Sequence, residues 1–173
     1  MKQINWIQFT WDLAALPEQT SELPEHYQIS RATPDDEAEL RKVISSSFSL
    51  DPAWNPLMQE ITDAIDSWLD RAAESESSIC LALRHGARII GATILTADAE
   101  AVNHLSPGPC VLMEYRNRGF GTHLLDRSLR TLREAGLSAA HGMTKENSAA
   151  TKFLYRKFNS TPTPREFSPL LAA

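Results

Sequence analysis

The sequence predicts a single α/β domain, a sheet with helices packed against it, and three observations lead to this fold class. A chain of 173 residues is long enough for one domain with a sizeable core. Short apolar runs rich in β-branched residues alternate with segments of helical periodicity. An apolar run at 109–113 leads into an amphipathic helix at 123–134, and another apolar run follows at 137–143. Because a β-α-β crossover places its strands side by side, these two runs are expected to be parallel neighbours.

The first 26 residues are interpreted as an N-terminal arm ahead of a domain at 27–173. Apolar side chains recur with strand-like alternation over 4–13, and a polar link that contains proline follows at 16–25. We therefore expect the arm to contribute one extra strand. The first strand of the domain itself is predicted at 26–31.

Two helices are predicted next, at 33–46 and 55–73, because each begins with a candidate capping residue followed by proline. The apolar stripe of the second helix is expected to be buried. Its other face is acidic, with Glu60, Asp63, Asp66 and Asp70. Solvation is the preferred interpretation of this face, and attraction of a cationic substrate is a weaker alternative.

The remaining predicted elements are a hairpin, the helix at 123–134, a short last helix and a C-terminal strand. The hairpin strands are expected at 78–83 and 88–96. The helix at 123–134 is expected to end at Gly136. Asn147 is predicted to cap a last helix, and the tail at 160–173 has room for one strand. The apolar stripe of that last helix is Ala150, Phe153, Leu154 and Phe158.

The turn at 115–122 has the composition of an anion site at a helix start. The first N–H groups of a helix have no internal partner, and the helix dipole places partial positive charge there. Gly119 and Gly121 allow a phosphate to approach the backbone closely. Arg116 and Arg118 add planar guanidinium donors that suit phosphate oxygens. These residues predict a ligand that carries a phosphate or a pyrophosphate.

Composition and charge restrict the class of protein. A net charge of −5 argues against a broad nucleic-acid surface, although 116–133 contains five Arg against one Asp. Cys80 and Cys110 lack metal or redox spacing and are expected to be buried, reduced thiols. No apolar run approaches the roughly 18 residues that span a bilayer, and the N-terminus lacks a signal pattern. We expect a cytoplasmic protein that has no metal site and does not bind nucleic acid or membranes.

Two segments of the chain are similar to the GNAT superfamily of N-acetyltransferases. The segment 114–125 resembles the acyl-CoA signature Gln/Arg-x-x-Gly-x-Gly/Ala, which begins here at Arg116. The segment 147–158 resembles the Asn-x-x-Ala…Leu-Tyr-x-Lys segment of the same family. The resemblance covers about residues 27–158 and includes the order of the predicted elements, so the two matches support each other.

The resemblance implies a GNAT-like mixed sheet, mostly antiparallel, with a splayed pair of parallel strands and about four flanking helices. It implies an enzyme that uses acetyl-CoA as co-substrate, without a metal, and acetylates a primary amine by direct attack. The pyrophosphate would bind main-chain N–H groups of the turn, and the pantetheine would pair with the strand before it. The implied cofactor-binding residues are Val111, Leu112, Met113, Arg116, Asn117, Arg118, Gly119, Phe120, Gly121, Thr122 and Asn147.

The same resemblance implies the catalytic groups. An N–H near Val111 or Leu112 would polarise the thioester carbonyl, and Tyr155 would protonate the leaving thiolate or hydrogen-bond its sulfur. Tyr155 lies away from the apolar stripe of the last helix, so core packing is not expected to explain it; the alternative is a surface tyrosine. Weaker candidates for a catalytic role are His104, His141, Asp98, Glu100 and Glu114. The preferred interpretation is a structural role for the histidines and a solvent-exposed charge for each acid.

The C-terminus departs from the family pattern. Only about fifteen residues follow Phe158, where the family usually has two further strands that complete the sheet and part of the acceptor pocket. We expect the strand at 4–13 to fill the missing position. It would do so within the chain or by exchange with a second copy, which would form a homodimer.

Three functions are compared on these grounds. The preferred one is an N-acetyltransferase for a small-molecule or peptide amine, and the alternative is a non-catalytic acyl-CoA-binding sensor or regulatory domain. A dinucleotide-binding Rossmann domain is disfavoured because Leu124 occupies the third glycine position of its fingerprint. The motifs specify the acyl donor and leave the acceptor amine open.

Overall fold

The computed structural model describes residues 4–18 and 22–170. The strands are β1 (Trp6–Asp12), β2 (Tyr27–Arg31), β3 (Ser78–His85), β4 (Arg88–Thr96), β5 (Cys110–Val111), β6 (Ala139–Lys145) and β7 (Thr161–Arg165). The helices are α1 (Glu37–Ser49), α2 (Met58–Glu74), α3 (Phe120–Glu134) and a single π-helical turn (Ala150–Leu154). None of the helices in the described ranges combines the length and apolar character needed to cross a bilayer.

The strands form two antiparallel sheets, which confirms the mixed α/β architecture expected from the sequence. One sheet has the order β2-β3-β4-β5, and the other has the order β6-β1-β7. The helices pack on the faces of these sheets and bury two apolar clusters, one beside α3 and one beside α1 and α2. The predicted order of elements is therefore present.

The strands β5 and β6 do not pair as predicted. They were expected to be parallel neighbours, but they belong to different sheets, and no ladder joins them in the described part of the chain. The loop before β5 contacts β6 instead, because the His104 N–H donates to the His141 carbonyl oxygen at 2.7 Å. The sheets therefore diverge at this point, as the splayed pair implied by the resemblance requires.

The N-terminal strand lies between β6 and β7 of the same chain. Trp6 is opposite Lys145 on one side and Arg165 on the other. Because side chains alternate along a strand, Phe9 and Trp11 belong to the apolar cluster beside α3, whereas Trp6 belongs to the cluster beside α1 and α2. The strand β1 thus contributes to both halves of the core.

The last helix is shorter than predicted, and Asn147 does not cap it. Asn147 is exposed, and the Ser148 hydroxyl instead accepts the Thr151 N–H at 3.2 Å. The Thr151 hydroxyl donates to the Lys145 carbonyl oxygen at 2.5 Å, and such side-chain bonds to the backbone compete with a regular helical ladder. Phe153, which was predicted to lie on the buried stripe, is 73% exposed.

The helix α2 also begins later than predicted. Asp51, rather than Asn55, acts as the cap, because its carboxylate accepts the Ala53 N–H at 3.1 Å at the start of a 3₁₀ turn, Pro52–Leu57. The regular helix follows from Met58. This turn places Asp51 between α1 and α2, at the edge of the cavity described below.

Removal of the Trp11 side chain is expected to cost about 3–5 kcal/mol of unfolding free energy. Trp11 is fully buried, and its indole Nε1 donates to the Lys157 carbonyl oxygen at 2.8 Å. Urea denaturation of Trp11→Ala measures this loss. Trp11→Phe, which keeps an aromatic ring, is the control and is expected to lose less. A loss below about 1 kcal/mol for Trp11→Ala would contradict the central position of β1.

Candidate functional site

A cavity of about 380 Å³ lies where the two sheets diverge. It is lined by residues of both sheets, by the first turn of α3, by the π-helical turn, by the end of α1 and by Trp68 of α2. The predicted site residues that line it are Val111, Arg116, Asn117, Gly119, Phe120, Gly121, Thr122 and Tyr155. Leu112, Met113, Arg118 and Asn147 lie outside its lining.

The N-terminus of α3 opens into the cavity without a side-chain cap. Gly119, the residue before the helix, has a left-handed backbone with φ of +84°, which glycine adopts without strain. No acidic side chain lies in the first turn, and a Cβ added at Gly119 would meet nothing within 4 Å. The first N–H groups of α3 are therefore accessible to an anion from the cavity.

Arg116 binds protein groups rather than pointing freely into the cavity. Its Nε donates to the Val111 carbonyl oxygen at 3.1 Å, and its Nη2 donates to the Ser47 carbonyl oxygen at 2.7 Å. A third nitrogen lies 3.8 Å from the Asp51 carboxylate. The guanidinium thus joins β5 to α1, a long-range role that the local motif could not indicate. Arg118 lies over the Tyr115 ring at 5.5 Å.

The register of β5 directs one backbone N–H away from β4. Gly91 lies opposite Val111, and the Leu112 N–H donates to the Ile90 carbonyl oxygen at 2.9 Å. In an antiparallel ladder this pattern makes Gly91 and Val111 a non-hydrogen-bonded pair, so the N–H and C=O of Val111 face away from β4. Of the two predicted carbonyl-polarising donors, Leu112 is therefore engaged in the sheet and Val111 is not.

Tyr155 is buried in the core, so the expectation that core packing would not explain it is wrong. Its side chain is 3% exposed and meets the rings of Phe9 and Trp11 edge-on, with centroids 5.7 and 5.5 Å away. Both partners come from β1, which helical periodicity around Tyr155 could not reveal.

The hydroxyl of Tyr155 nevertheless lines the cavity as a protonated group. Tyr155 lines the cavity, and its hydroxyl makes no hydrogen bond with any residue of the described ranges. Burial raises the pKa of the Tyr155 phenol, and the nearby Cys110 thiol raises it by a smaller amount. The phenol therefore keeps its proton at neutral pH.

Gly108 allows the Tyr155 hydroxyl to approach the loop before β5. A Cβ at Gly108 would lie 1.7 Å from the Tyr155 oxygen and 3.0 Å from its Cζ. We expect Gly108→Ala to cost about 1–3 kcal/mol of unfolding free energy and to cost less in a Tyr155→Phe background, where the nearest atom is absent. A double-mutant cycle in urea measures this coupling. Equal losses in both backgrounds would show that the two residues are not in contact.

The weaker candidates lie outside the cavity lining: His104, His141, Asp98, Glu100 and Glu114. His104 is fully buried; its Nδ1 accepts the His141 N–H at 2.8 Å, and its Nε2 donates to the Asp98 carbonyl oxygen at 2.9 Å. Burial also lowers the pKa of His104. Both ring nitrogens are engaged, so the role of His104 is structural. Glu114 is exposed and pairs with Arg88 at 2.9 Å.

Several residues of the cavity were not identified from the sequence. Aromatic side chains from β1, α1, the 3₁₀ turn and α2 line the cavity and belong to the apolar cluster beside α1 and α2: Trp6, Phe48, Trp54 and Trp68. Asp51 also lines the cavity, whereas the acidic face of α2 does not. In the sequence these aromatic residues signal only burial, and their convergence depends on tertiary packing. The described ranges contain no group of three His, Cys, Asp or Glu residues that could hold a metal ion.

Comparisons with known proteins agree with this geometry. Residues 38–159 match the model of a family described as acetyltransferase (GNAT) family. A GNAT family acetyltransferase from Brucella melitensis, solved in complex with acetyl-CoA, is 25% identical with a TM-score of 0.51, over 66% of this chain and 73% of that one. No curated protein is significantly similar in sequence.

Two further solved structures match almost the whole chain. A conserved protein of unknown function from Staphylococcus epidermidis is 15% identical with a TM-score of 0.65, over 94% of this chain and 59% of that one. A GNAT family acetyltransferase from Colwellia psychrerythraea is 14% identical with a TM-score of 0.64, over 94% and 54%. The chain thus spans little more than half the length of these two proteins, and their similarity concerns the fold.

Proposed function

Since the chain belongs to the GNAT family of acetyltransferases, we propose that it transfers an acetyl group from acetyl-CoA to a primary amine. One observation carries the proposal: a single cavity joins the uncapped N-terminus of α3 to Val111 and Tyr155. The helix N-terminus suits phosphate binding, the Val111 N–H suits polarisation of a thioester carbonyl, and the Tyr155 hydroxyl suits protonation of a thiolate. The acetyl-CoA bound to the Brucella melitensis protein supports the same donor here.

In this proposal the protein backbone supplies most of the contacts to acetyl-CoA. The pyrophosphate accepts hydrogen bonds from the first N–H groups of α3, with Asn117 and Arg118 in the preceding turn. The pantetheine runs along β5 beside Val111 and Met113. Leu112 offers no free backbone group, because its N–H is bonded to Ile90 of β4 and its carbonyl oxygen accepts the Tyr115 N–H at 2.9 Å. Arg116 acts indirectly by fixing the Val111 carbonyl oxygen.

The reaction is a direct displacement at the thioester carbonyl. The neutral amine attacks the carbonyl carbon, and the Val111 N–H donates to the oxygen on which negative charge develops. The new C–N bond forms, the C–S bond breaks, and the CoA thiolate takes the proton of the Tyr155 hydroxyl. The amine nitrogen loses its extra proton to solvent, from which Tyr155 is reprotonated.

Two measurements test this function. Calorimetry with acetyl-CoA tests the donor site, and release of the CoA thiol across a panel of primary amines tests the transfer. Binding together with amine-dependent thiol release is the expected result. Binding without turnover on any amine would favour the alternative of an acyl-CoA-binding sensor, and absence of binding would contradict both.

A further inference from the structure

We propose that the acceptor is a small primary amine attached to an aromatic ring through a short chain, with the ring held by an aromatic wall and the ammonium received by Asp51. This inference rests on the proposed acetyl transfer and names the substrate class of the same site. The aromatic wall is defined as Trp6, Phe48, Trp54 and Trp68, which line the cavity and belong to the apolar cluster beside α1 and α2.

The aromatic wall is continuous. Trp54 lies between Trp6 and Phe48, with ring centroids 6.3 and 5.2 Å away, and Phe48 continues to Trp68 at 6.0 Å. Trp6 and Trp68 are buried, whereas Phe48 and Trp54 are half-buried and present their rings to the cavity. A flat apolar group gains most from such a surface, because offset and edge-to-face contacts add to the burial of its area.

Asp51 lies where the amine of such an acceptor would meet the thioester. It is the only carboxylate among the described residues that line the cavity, and its side chain is 18% exposed. The Ala53 N–H fixes one of its oxygens. The Arg116 guanidinium, which lies 3.8 Å from Asp51, also holds the Val111 carbonyl oxygen at 3.1 Å. One guanidinium group therefore separates Asp51 from the backbone that would polarise the thioester.

The charges around the aromatic wall favour an acceptor with a single positive charge. Arg116 and Lys157 also line the cavity, and the Lys145 ammonium lies over the Trp54 ring at 5.2 Å and donates to the Ala53 carbonyl oxygen. A second ammonium in the acceptor would meet these cations with only one carboxylate to offset them. The surroundings thus disfavour a polyamine.

The C-terminal segment restricts the size of the acceptor. Pro169 and Leu170 line the cavity, and Leu170 packs against the apolar cluster that contains Trp6, beside Phe48 and Trp54. These residues take up space beside the aromatic wall, and a cavity of about 380 Å³ suits a small molecule better than a peptide.

Competition among amines in the full-length protein tests the inference directly. Thiol release from acetyl-CoA would be compared for 2-phenylethylamine, n-propylamine, spermidine and a short peptide with a free N-terminus. We expect kcat/KM for 2-phenylethylamine to exceed that of each other amine by about tenfold or more. Preference for spermidine, the peptide or the small aliphatic amine would overturn the inference alone. No turnover with any amine would overturn the proposed function and this inference together.

Two variants locate the contacts. Asp51→Asn keeps the size and an oxygen to accept the Ala53 N–H; it is expected to raise KM for 2-phenylethylamine about tenfold or more while acetyl-CoA affinity changes less than about twofold. Asp63→Asn, on the solvated face of α2, is the matched control.

Trp54→Leu is expected to reduce the preference for 2-phenylethylamine over n-propylamine, and Trp54→Phe is expected to retain this preference. Unchanged preference in Trp54→Leu, or unchanged KM in Asp51→Asn, would overturn the assignment.

Discussion

Gly121→Glu is expected to abolish acetyl-CoA binding and to leave the protein folded. Gly121 lies in the first turn of α3 and lines the cavity. A Cβ at this position would meet the Leu154 methyl groups at 3.8 Å, an ordinary contact. The added carboxylate would lie against the helix N-terminus, where it competes with the pyrophosphate and repels it. Two charges about 4 Å apart repel by several kcal/mol near a protein surface, so we expect affinity to fall by about a hundredfold or more.

The stability of the same variant separates this effect from misfolding. A carboxylate in the first turn of a helix is stabilising by about 0.3–1 kcal/mol, so the urea midpoint should stay constant or rise. Calorimetry with acetyl-CoA and urea denaturation would be run on Gly121→Glu, Gly121→Gln and Gly121→Ala. Gln adds nearly the same bulk without charge, and Ala adds only the methyl group. An unchanged dissociation constant in Gly121→Glu would refute the anion site at α3.

The elements that could be predicted are those specified by local sequence. The hairpin of β3 and β4 follows from two apolar runs and a tight turn, and Gly136 ends α3 in a left-handed conformation as expected. The strand, glycine turn and helix start at 110–120 could also be predicted, because they are consecutive in the chain, whereas anion binding there stays a prediction. Such features depend on neighbours within about one helical turn or one hairpin.

The parts that could not be predicted depend on residues far apart in sequence. Arg116 carries the signature of a phosphate ligand, yet its partners are set by the packing of α1 against β5. Tyr155 lacks local packing partners, and its burial arises from β1, which begins the chain. Trp6 meets Trp54 where β1 lies beside β6, whose Lys145 packs over the Trp54 ring. Periodicity specifies that a side chain is buried, whereas the position of its strand in a sheet decides what it contacts.

Tyr155→Phe is expected to lower kcat by about a hundredfold while acetyl-CoA affinity stays within about twofold. The ring would remain packed on Phe9 and Trp11, so the shape of the cavity is preserved. The hydroxyl has no hydrogen-bond partner among the described residues, so its removal leaves no buried group unsatisfied. The loss should therefore concern the proton that the leaving thiolate takes. Steady-state kinetics with 2-phenylethylamine and calorimetry with acetyl-CoA measure the two effects.

Tyr27→Phe is the matched control, because Tyr27 lies in β2 outside the cavity lining and loses the same single oxygen. A loss confined to kcat and kcat/KM in Tyr155→Phe identifies an interaction made only during the reaction, whereas a parallel loss of affinity would assign Tyr155 to binding. Equal kinetics in wild type and Tyr155→Phe would remove the residue from the mechanism. The thiolate would then leave unprotonated, and the ring of Tyr155 would serve only the packing of β1 against the π-helical turn.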